Sequence, residues 1–69
     1  MDLNKMIEIR ESYANDLQWT VWYLEESEDI EDKKKKIATL KEIIQDIKKD
    51  VLILKGRRLR EYESENQKN

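Results

Sequence analysis

The stretch IATLKEIIQDIKKDVLIL, residues 37–54, decides the fold of this chain. Its large apolar side chains recur at alternating spacings of three and four residues, which is the periodicity of one face of an α-helix. Read as a coiled-coil heptad, the pattern predicts a face that packs against other helices. Because such a face is unfavourable in water, we expect the rest of the chain to cover it. The a positions are Ile37, Ile44 and Val51, and the d positions are Leu40, Ile47 and Leu54.

The composition is typical of a small all-α protein. Of the 69 residues, 43% are charged, one is glycine and none is proline, so the usual signals for strands and turns are nearly absent. A chain of this length forms one domain at most, and so small a core needs reinforcement. The absence of cysteine and histidine excludes disulfides and the common zinc sites, which favours oligomerisation. We expect no metal and no cofactor.

The first third of the chain has the period of a second helix that could cover this face. Its apolar residues lie within one arc of a helical wheel, with Met6 and Tyr13 at one margin and Arg10 interrupting the centre. Arg10 is expected to snorkel or to form an ion pair. The sequence therefore predicts an antiparallel two-helix hairpin, and two hairpins are expected to form a homodimeric four-helix bundle. Whether helices fold back or exchange between protomers stays open. The arc consists of Leu3, Ile7, Ala14, Leu17, Val21 and Leu24.

The segment EESEDIEDKKKK, residues 25–36, is the clearest change of composition in the chain. It predicts an acidic turn at about 26–30, between helix one at about 3–26 and helix two at about 30–63. Helix two is expected to start near Ile30, with Ser27 or Asp29 as its N-cap. Gly56 either ends helix two or lies within it. The apolar pattern continues to Leu59 and Tyr62, which favours continuation, with a polar tail at 64–69.

The charges are distributed unevenly along the chain. Residues 1–32 contain ten acidic and two basic residues, a net charge of −8, whereas residues 33–69 contain six acidic and twelve basic residues, a net charge of +6. This asymmetry favours two halves of opposite charge that lie side by side, in a hairpin or in an antiparallel dimer.

A second apolar surface lies outside the arc of helix one. Trp19, Trp22 and Tyr23 are displaced from the arc by about 100–200° around the wheel, and Ile53 is similarly displaced on helix two. A lone hairpin has no other element to bury them, and exposed aromatic clusters are typical of protein interfaces. Self-association and the docking of another protein both explain this pattern. These four residues are the candidate protein-interaction site.

A basic cluster occupies the segment KGRRLR, residues 55–60, with four cations that are candidate contacts for a polyanion. No helix-turn-helix, zinc-finger or RNA-binding aromatic pattern accompanies it, and three glutamates follow at once. Basic residues near a helix end also interact favourably with the helix dipole. Nucleic-acid binding is therefore an alternative that the sequence does not favour. The four cations are Lys55, Arg57, Arg58 and Arg60.

Catalysis has little support in the sequence. There is no histidine to act as a general base, no cysteine nucleophile, and too few glycines for a phosphate-binding loop. We expect a protein that is not an enzyme and has no small-molecule substrate. The longest apolar runs are too short to span a bilayer, and no signal-peptide pattern is present, so we expect a soluble cytoplasmic protein without membrane partners.

In size and composition the chain resembles the small helical regulators that bacteria and their phages encode, although no residue roles follow from that resemblance. The leading hypothesis is a small interaction protein that acts as a regulator, inhibitor or adaptor by binding a protein partner. The alternatives are a nucleic-acid-binding accessory protein that uses residues 55–60 and a structural module that assembles only with itself.

Overall fold

The computed structural model describes residues 2–66 and consists of two α-helices packed against each other as a hairpin. Helix α1 spans Leu3–Glu26 and helix α2 spans Lys33–Asn66, and the described residues form no strand. The hairpin is long and thin, with extents of 62 × 17 × 15 Å. The predicted all-α hairpin is therefore confirmed. The last residues of the predicted polar tail, 67–69, lie outside the described residues.

Both ends of α1 are capped by local polar groups. At the N-terminus, the Asp2 carboxylate accepts a hydrogen bond from the Lys5 backbone N–H at 2.7 Å, which satisfies a donor that has no partner within the helix. At the C-terminus, the Ser27 N–H donates to the Leu24 carbonyl, and the Ser27 hydroxyl donates to the Tyr23 carbonyl at 2.8 Å. Ser27 thus caps the end of α1, whereas the sequence offered Ser27 or Asp29 as the N-cap of α2.

Helix α2 begins at Lys33, three residues later than the expected start near Ile30. The cause is Asp32, whose φ of 55° is in the left-handed region and interrupts the helical path. The Asp32 carbonyl accepts the first helical bond, from the Lys36 N–H at 3.0 Å. The loop therefore covers residues 27–32. The Lys33 ammonium closes it by donating to the carbonyls of Glu25 and Ser27, at 3.0 and 2.6 Å.

The core is a single row of side chains between the two helices, and the heptad frame describes it on both sides. In α1 the a positions are Ile7, Ala14 and Val21, and all three are buried. In α2 the a positions Ile44 and Val51 are buried as well. The face predicted over residues 37–54 thus packs on the arc predicted for helix one. The remaining positions of the two patterns are half-buried, apart from the buried Leu24: Leu3, Leu17, Ile37, Leu40, Ile47 and Leu54.

Helix α2 continues through Gly56 without interruption, as the apolar pattern favoured. Arg58 donates to the Asn4 side-chain oxygen at 2.9 Å, so the start of α1 lies beside residue 58. The last two turns of α2 therefore extend past α1, and Leu59 and Tyr62 on these turns are exposed.

Replacing a core residue should destabilise the hairpin far more than replacing an exposed one. Ile44→Ala is expected to lower the free energy of unfolding by about 2–4 kcal/mol, because it leaves a cavity between the helices. Leu52→Ala, at an exposed site on the same helix, should change it by no more than about 0.5 kcal/mol. Urea unfolding of both variants at one protein concentration gives the comparison, and equal losses would contradict this packing.

Gly56→Ala is expected to stabilise the protein by about 0.5–1 kcal/mol, since alanine loses less backbone entropy than glycine within a helix. Space for the methyl group is available, because a Cβ at this position would meet only the end of the Arg60 side chain, at 3.7 Å. The matched control is Ala38→Gly at an exposed position of α2, which should lower stability by a similar amount. Thermal or urea unfolding measures both changes; a loss of stability in Gly56→Ala would mean that α2 ends at residue 56.

Candidate interaction surfaces

One flank of the hairpin, which we call the e flank, has a rim of charged side chains. At the e positions of the heptads, α1 carries acids or amides and α2 carries lysines. Lys55 and Glu11 form a salt bridge across this flank at 3.2 Å. Below the charged rim, the small Ala14 side chain leaves a depression floored by Ile44 and Val51. The depression is open to water and brings together no catalytic or metal-ligating set. The e positions are Glu11, Gln18 and Glu25 in α1 and Lys41, Lys48 and Lys55 in α2.

The opposite flank, which we call the d/g face, carries large apolar side chains on both helices, together with the charged Arg10 at a d position and Lys36 and Asp50 at g positions. The half-buried d residues turn towards it, and the neighbouring g positions add Tyr13, 56% exposed, and Ile43, 40% exposed. The sequence marked Tyr13 and Met6 only as the margin of an arc and missed this surface. The available signal was the presence of Met6, Tyr13 and Ile43 at g positions, since the e positions carry only charged or amide side chains. The apolar residues of the d/g face are Leu3, Met6, Tyr13, Leu17, Leu24, Leu40, Ile43, Ile47 and Leu54.

The predicted aromatic residues lie on the outer surface of α1, near the loop. The Trp19 and Trp22 rings pack edge to face, with centroids 4.9 Å apart and planes at 88°. Trp19 is nevertheless 61% and Trp22 47% exposed. Tyr23 is also exposed and lies about 40° around the helix from Trp19. We call these three residues the aromatic patch.

The structure does not bring Ile53 to the aromatic patch. Ile53 is exposed and follows the buried Val51 by two residues, so it points away from α1 on the outer surface of α2. It also lies towards the open end of the hairpin, because the nearby Lys55 pairs with Glu11. The helical-wheel angle alone placed Ile53 and the aromatic patch outside the core, but it gave no information on the distance between them.

The basic residues 55–60 do not form one surface. Lys55 pairs with Glu11, and the Arg57 Nε lies 3.7 Å from the Glu61 carboxylate. Arg58 instead binds Asn4. Successive positions of a helix are rotated by about 100°, so these cations and Arg60 point in different directions around α2. Their exposed ion pairs contribute little to stability, but they divide the positive charge among separate contacts.

Arg10 is a half-buried cation within the apolar row of α1. Its guanidinium donates to the Met6 carbonyl of the same helix at 3.4 Å, a long hydrogen bond. Among residues 2–66 it forms no salt bridge within the hairpin. This arrangement leaves a charged group at a d position of the d/g face.

Neither helix contains a stretch long and apolar enough to cross a bilayer. Within residues 2–66, no three side chains of the types that bind metals are grouped closely enough to hold an ion. No protein-family model matches the chain, and no curated protein or solved structure matches it. The surfaces themselves therefore carry the argument about function.

Acrylamide should quench both tryptophans efficiently, and Trp19 more than Trp22, since their rings differ in exposure. The variants Trp22→Phe and Trp19→Phe report the two rings separately by fluorescence. Free N-acetyltryptophanamide is the fully exposed reference, and urea-unfolded protein is the matched control. Quenching far below that of the unfolded chain would contradict an aromatic patch that is open to water.

Proposed function

We propose that this protein is a small non-enzymatic interaction module that acts as a regulator, inhibitor or adaptor by binding another protein through its aromatic patch. The observation that supports this proposal is the exposed edge-to-face pair of Trp19 and Trp22 beside Tyr23. Trp and Tyr are the residues most enriched among those that dominate binding energy at interfaces. Large aromatic rings left in water on a helix surface are costly unless a partner covers them.

The surroundings of the aromatic patch indicate the chemistry of the partner. Glu25 and Glu26 end α1 directly after Tyr23, and the loop adds four more acidic residues before Lys33. An apolar groove with basic side chains along its rim would bury the rings and pair with these carboxylates. Such charges mainly accelerate association and select the partner, whereas the rings supply most of the affinity.

The same proposal includes a homodimer in which two hairpins form a four-helix bundle. The hairpin buries only one row of apolar side chains, and a chain this short is only marginally stabilised by a core of that size. A second copy would add apolar contacts without disulfides or metals. A module that only assembles with itself would share this dimer but would leave the aromatic patch without a role.

Nucleic-acid binding through residues 55–60 remains the weaker alternative. A basic tract that follows a phosphate backbone needs its cations along one side, whereas these four residues are distributed around α2 and Lys55 and Arg57 have acidic neighbours. The chain as a whole also has a net charge of −2, which opposes association with a polyanion.

The combined substitution Trp19→Ala and Trp22→Ala should abolish capture of the protein partner, while helicity measured by circular dichroism is retained. Both rings are exposed, so their removal should leave the hairpin core intact. A partner captured by tagged wild-type protein and identified by mass spectrometry would then be purified and titrated by calorimetry. We expect at least about 30-fold weaker binding, the loss of one strong interface residue.

The matched control for this experiment is Leu52→Ala together with Tyr62→Ala. It removes two exposed apolar side chains elsewhere on the hairpin and should leave the affinity unchanged. If the purified partner binds the double tryptophan variant as tightly as it binds wild type, the aromatic patch is not the binding site.

A further inference from the structure

We propose that the d/g face is covered by a second copy of this chain, related by a two-fold axis parallel to the hairpin. In this dimer, α1 of each copy lies against α2 of the other, and both loops are at the same end. The inference deepens the proposed homodimer by assigning its face and orientation. It leaves the aromatic patch outside the interface, so the two proposals can fail separately.

The chain exposes more surface than a compact monomer of its mass, and the excess is similar in size to the area that a dimer interface buries. The accessible surface of the chain is 5904 Å². A compact folded monomer of 8.4 kDa exposes roughly 4,600 Å². The excess is therefore about 1,300 Å², and a standard interface buries about 800 Å² of each partner. One copy on one long face accounts for most of the difference.

The distribution of apolar side chains selects the d/g face for this contact. In a four-helix bundle the a and d residues of each helix point to the centre, and the e and g residues contact the two neighbouring helices. Here the rim of the e flank is charged, and Glu11 pairs with Lys55 across it within the hairpin. Of the g positions, Tyr13 and Ile43 carry large exposed side chains with apolar surface, whereas Lys36 and Asp50 are charged. The half-buried d residues lie between the buried a row and this g flank, where a second hairpin would complete their burial.

The charges of the two helices select the orientation. Helix α1 has five acidic and two basic residues, a net charge of −3, and α2 has eleven basic and six acidic residues, a net charge of +5. An axis parallel to the hairpin places α1 against α2 of the second copy, which is attractive. The other two-fold arrangement, with the loops at opposite ends, places α2 against α2 and α1 against α1, which is repulsive.

This orientation also provides a partner for Arg10. Because both copies are at the same level along the axis, α1 meets in the second copy the same stretch of α2 that it neighbours in its own chain. Glu11 pairs with Lys55, so this stretch includes the residues around position 51. Asp50 occupies the adjacent g position on the d/g face and, like Arg10, forms no salt bridge among residues 2–66. Arg10 of each copy is therefore expected to pair with Asp50 of the other.

The face is tested by sedimentation equilibrium of wild type and of Tyr13→Lys and Ile43→Lys over a concentration series. Both side chains are partly exposed in the hairpin, so a lysine is tolerated in the monomer but would be buried in the dimer. We expect the dimer dissociation constant to rise at least tenfold in each. Leu52→Lys, on the outer side of α2, and the double tryptophan variant are the matched controls and should dimerise like wild type.

The orientation is tested in trans by mixing Arg10→Glu with Asp50→Arg. Each homodimer would contain two like-charge pairs and should be weakened at least tenfold. In the mixed dimer both pairs have opposite charges again, so affinity should return to the wild-type level. A contact within one chain could not be restored by mixing, and failure of the mixture to recover would overturn the pairing of Arg10 with Asp50.

A second measurement leaves the interface intact. The chain has no cysteine, so Asp29→Cys in the exposed loop carries the only nitroxide label on each copy. Double electron–electron resonance measures the distance between the two nitroxides. This distance should be below about 25 Å if the loops lie at the same end, because neighbouring helices are about 10 Å apart. A separation beyond about 35 Å, the length of α1, would place the loops at opposite ends and overturn the orientation.

Other outcomes are equally decisive. A chain that stays monomeric at all concentrations overturns the inference while the aromatic patch can still bind its partner. If Leu52→Lys or the double tryptophan variant dissociates the dimer and Tyr13→Lys does not, the interface lies on another face. A dimer of the expected kind together with loss of partner binding in the tryptophan variant supports both proposals independently.

Discussion

The structure depends on one row of a-position side chains held between two helices. Ile7, Ala14 and Val21 on α1 meet the side of α2 that carries Ile44 and Val51, and these buried contacts carry the hydrophobic stabilisation of the hairpin. Two helices can bury only the stripe of each that faces the other. Apart from the buried Leu24, the large apolar residues outside that row are left at a flank or on an outer surface.

The flanks differ because their side chains differ in what they can do in water. Lysine and glutamate at the e positions remain hydrated and can pair across the groove, as Lys55 and Glu11 do within a single hairpin. At the g positions, the Ile43 side chain and the ring of Tyr13 are apolar surfaces that the hairpin leaves exposed to water. The same heptad thus specifies one flank with a charged rim and one flank with exposed apolar side chains.

The apolar periodicities of residues 37–54 and 3–24 predicted the two helices and their contact, and the apolar residues Leu59 and Tyr62 favoured continuation through Gly56. Each of these features depends on the regular spacing of side chains along a helix. The loop was harder to predict. Acidic residues from Glu25 to Asp32 suit a turn or a first helical turn equally well, and the start of α2 was decided by the left-handed backbone of Asp32. Ser27 was one of two candidate N-caps of α2, with Asp29, but it caps the C-terminal end of α1, because its hydroxyl donates to the Tyr23 carbonyl.

The same reasoning explains why Ile53 was grouped with the tryptophans. A wheel angle states that a side chain points away from the core, but in an antiparallel pair the residues of α2 run back towards the start of α1. Residues 19–23 lie beside the loop, whereas residue 53 lies near the open end, so similar angles correspond to distant places. The contacts of Lys55 with Glu11 and of Arg58 with Asn4 show where this part of α2 lies along the hairpin axis.

The proposed dimer interface on the d/g face leaves the aromatic patch of each copy free to bind a partner. In the proposed dimer the two α1 helices are diagonal to each other, so their outer surfaces face opposite sides of the bundle. One dimer would then present two aromatic patches, both at the loop end. A partner with two suitable grooves would bind far more tightly than a single groove allows, because the second contact is intramolecular. Dimerisation through the d/g face would thereby act on partner binding without contributing any side chain to it.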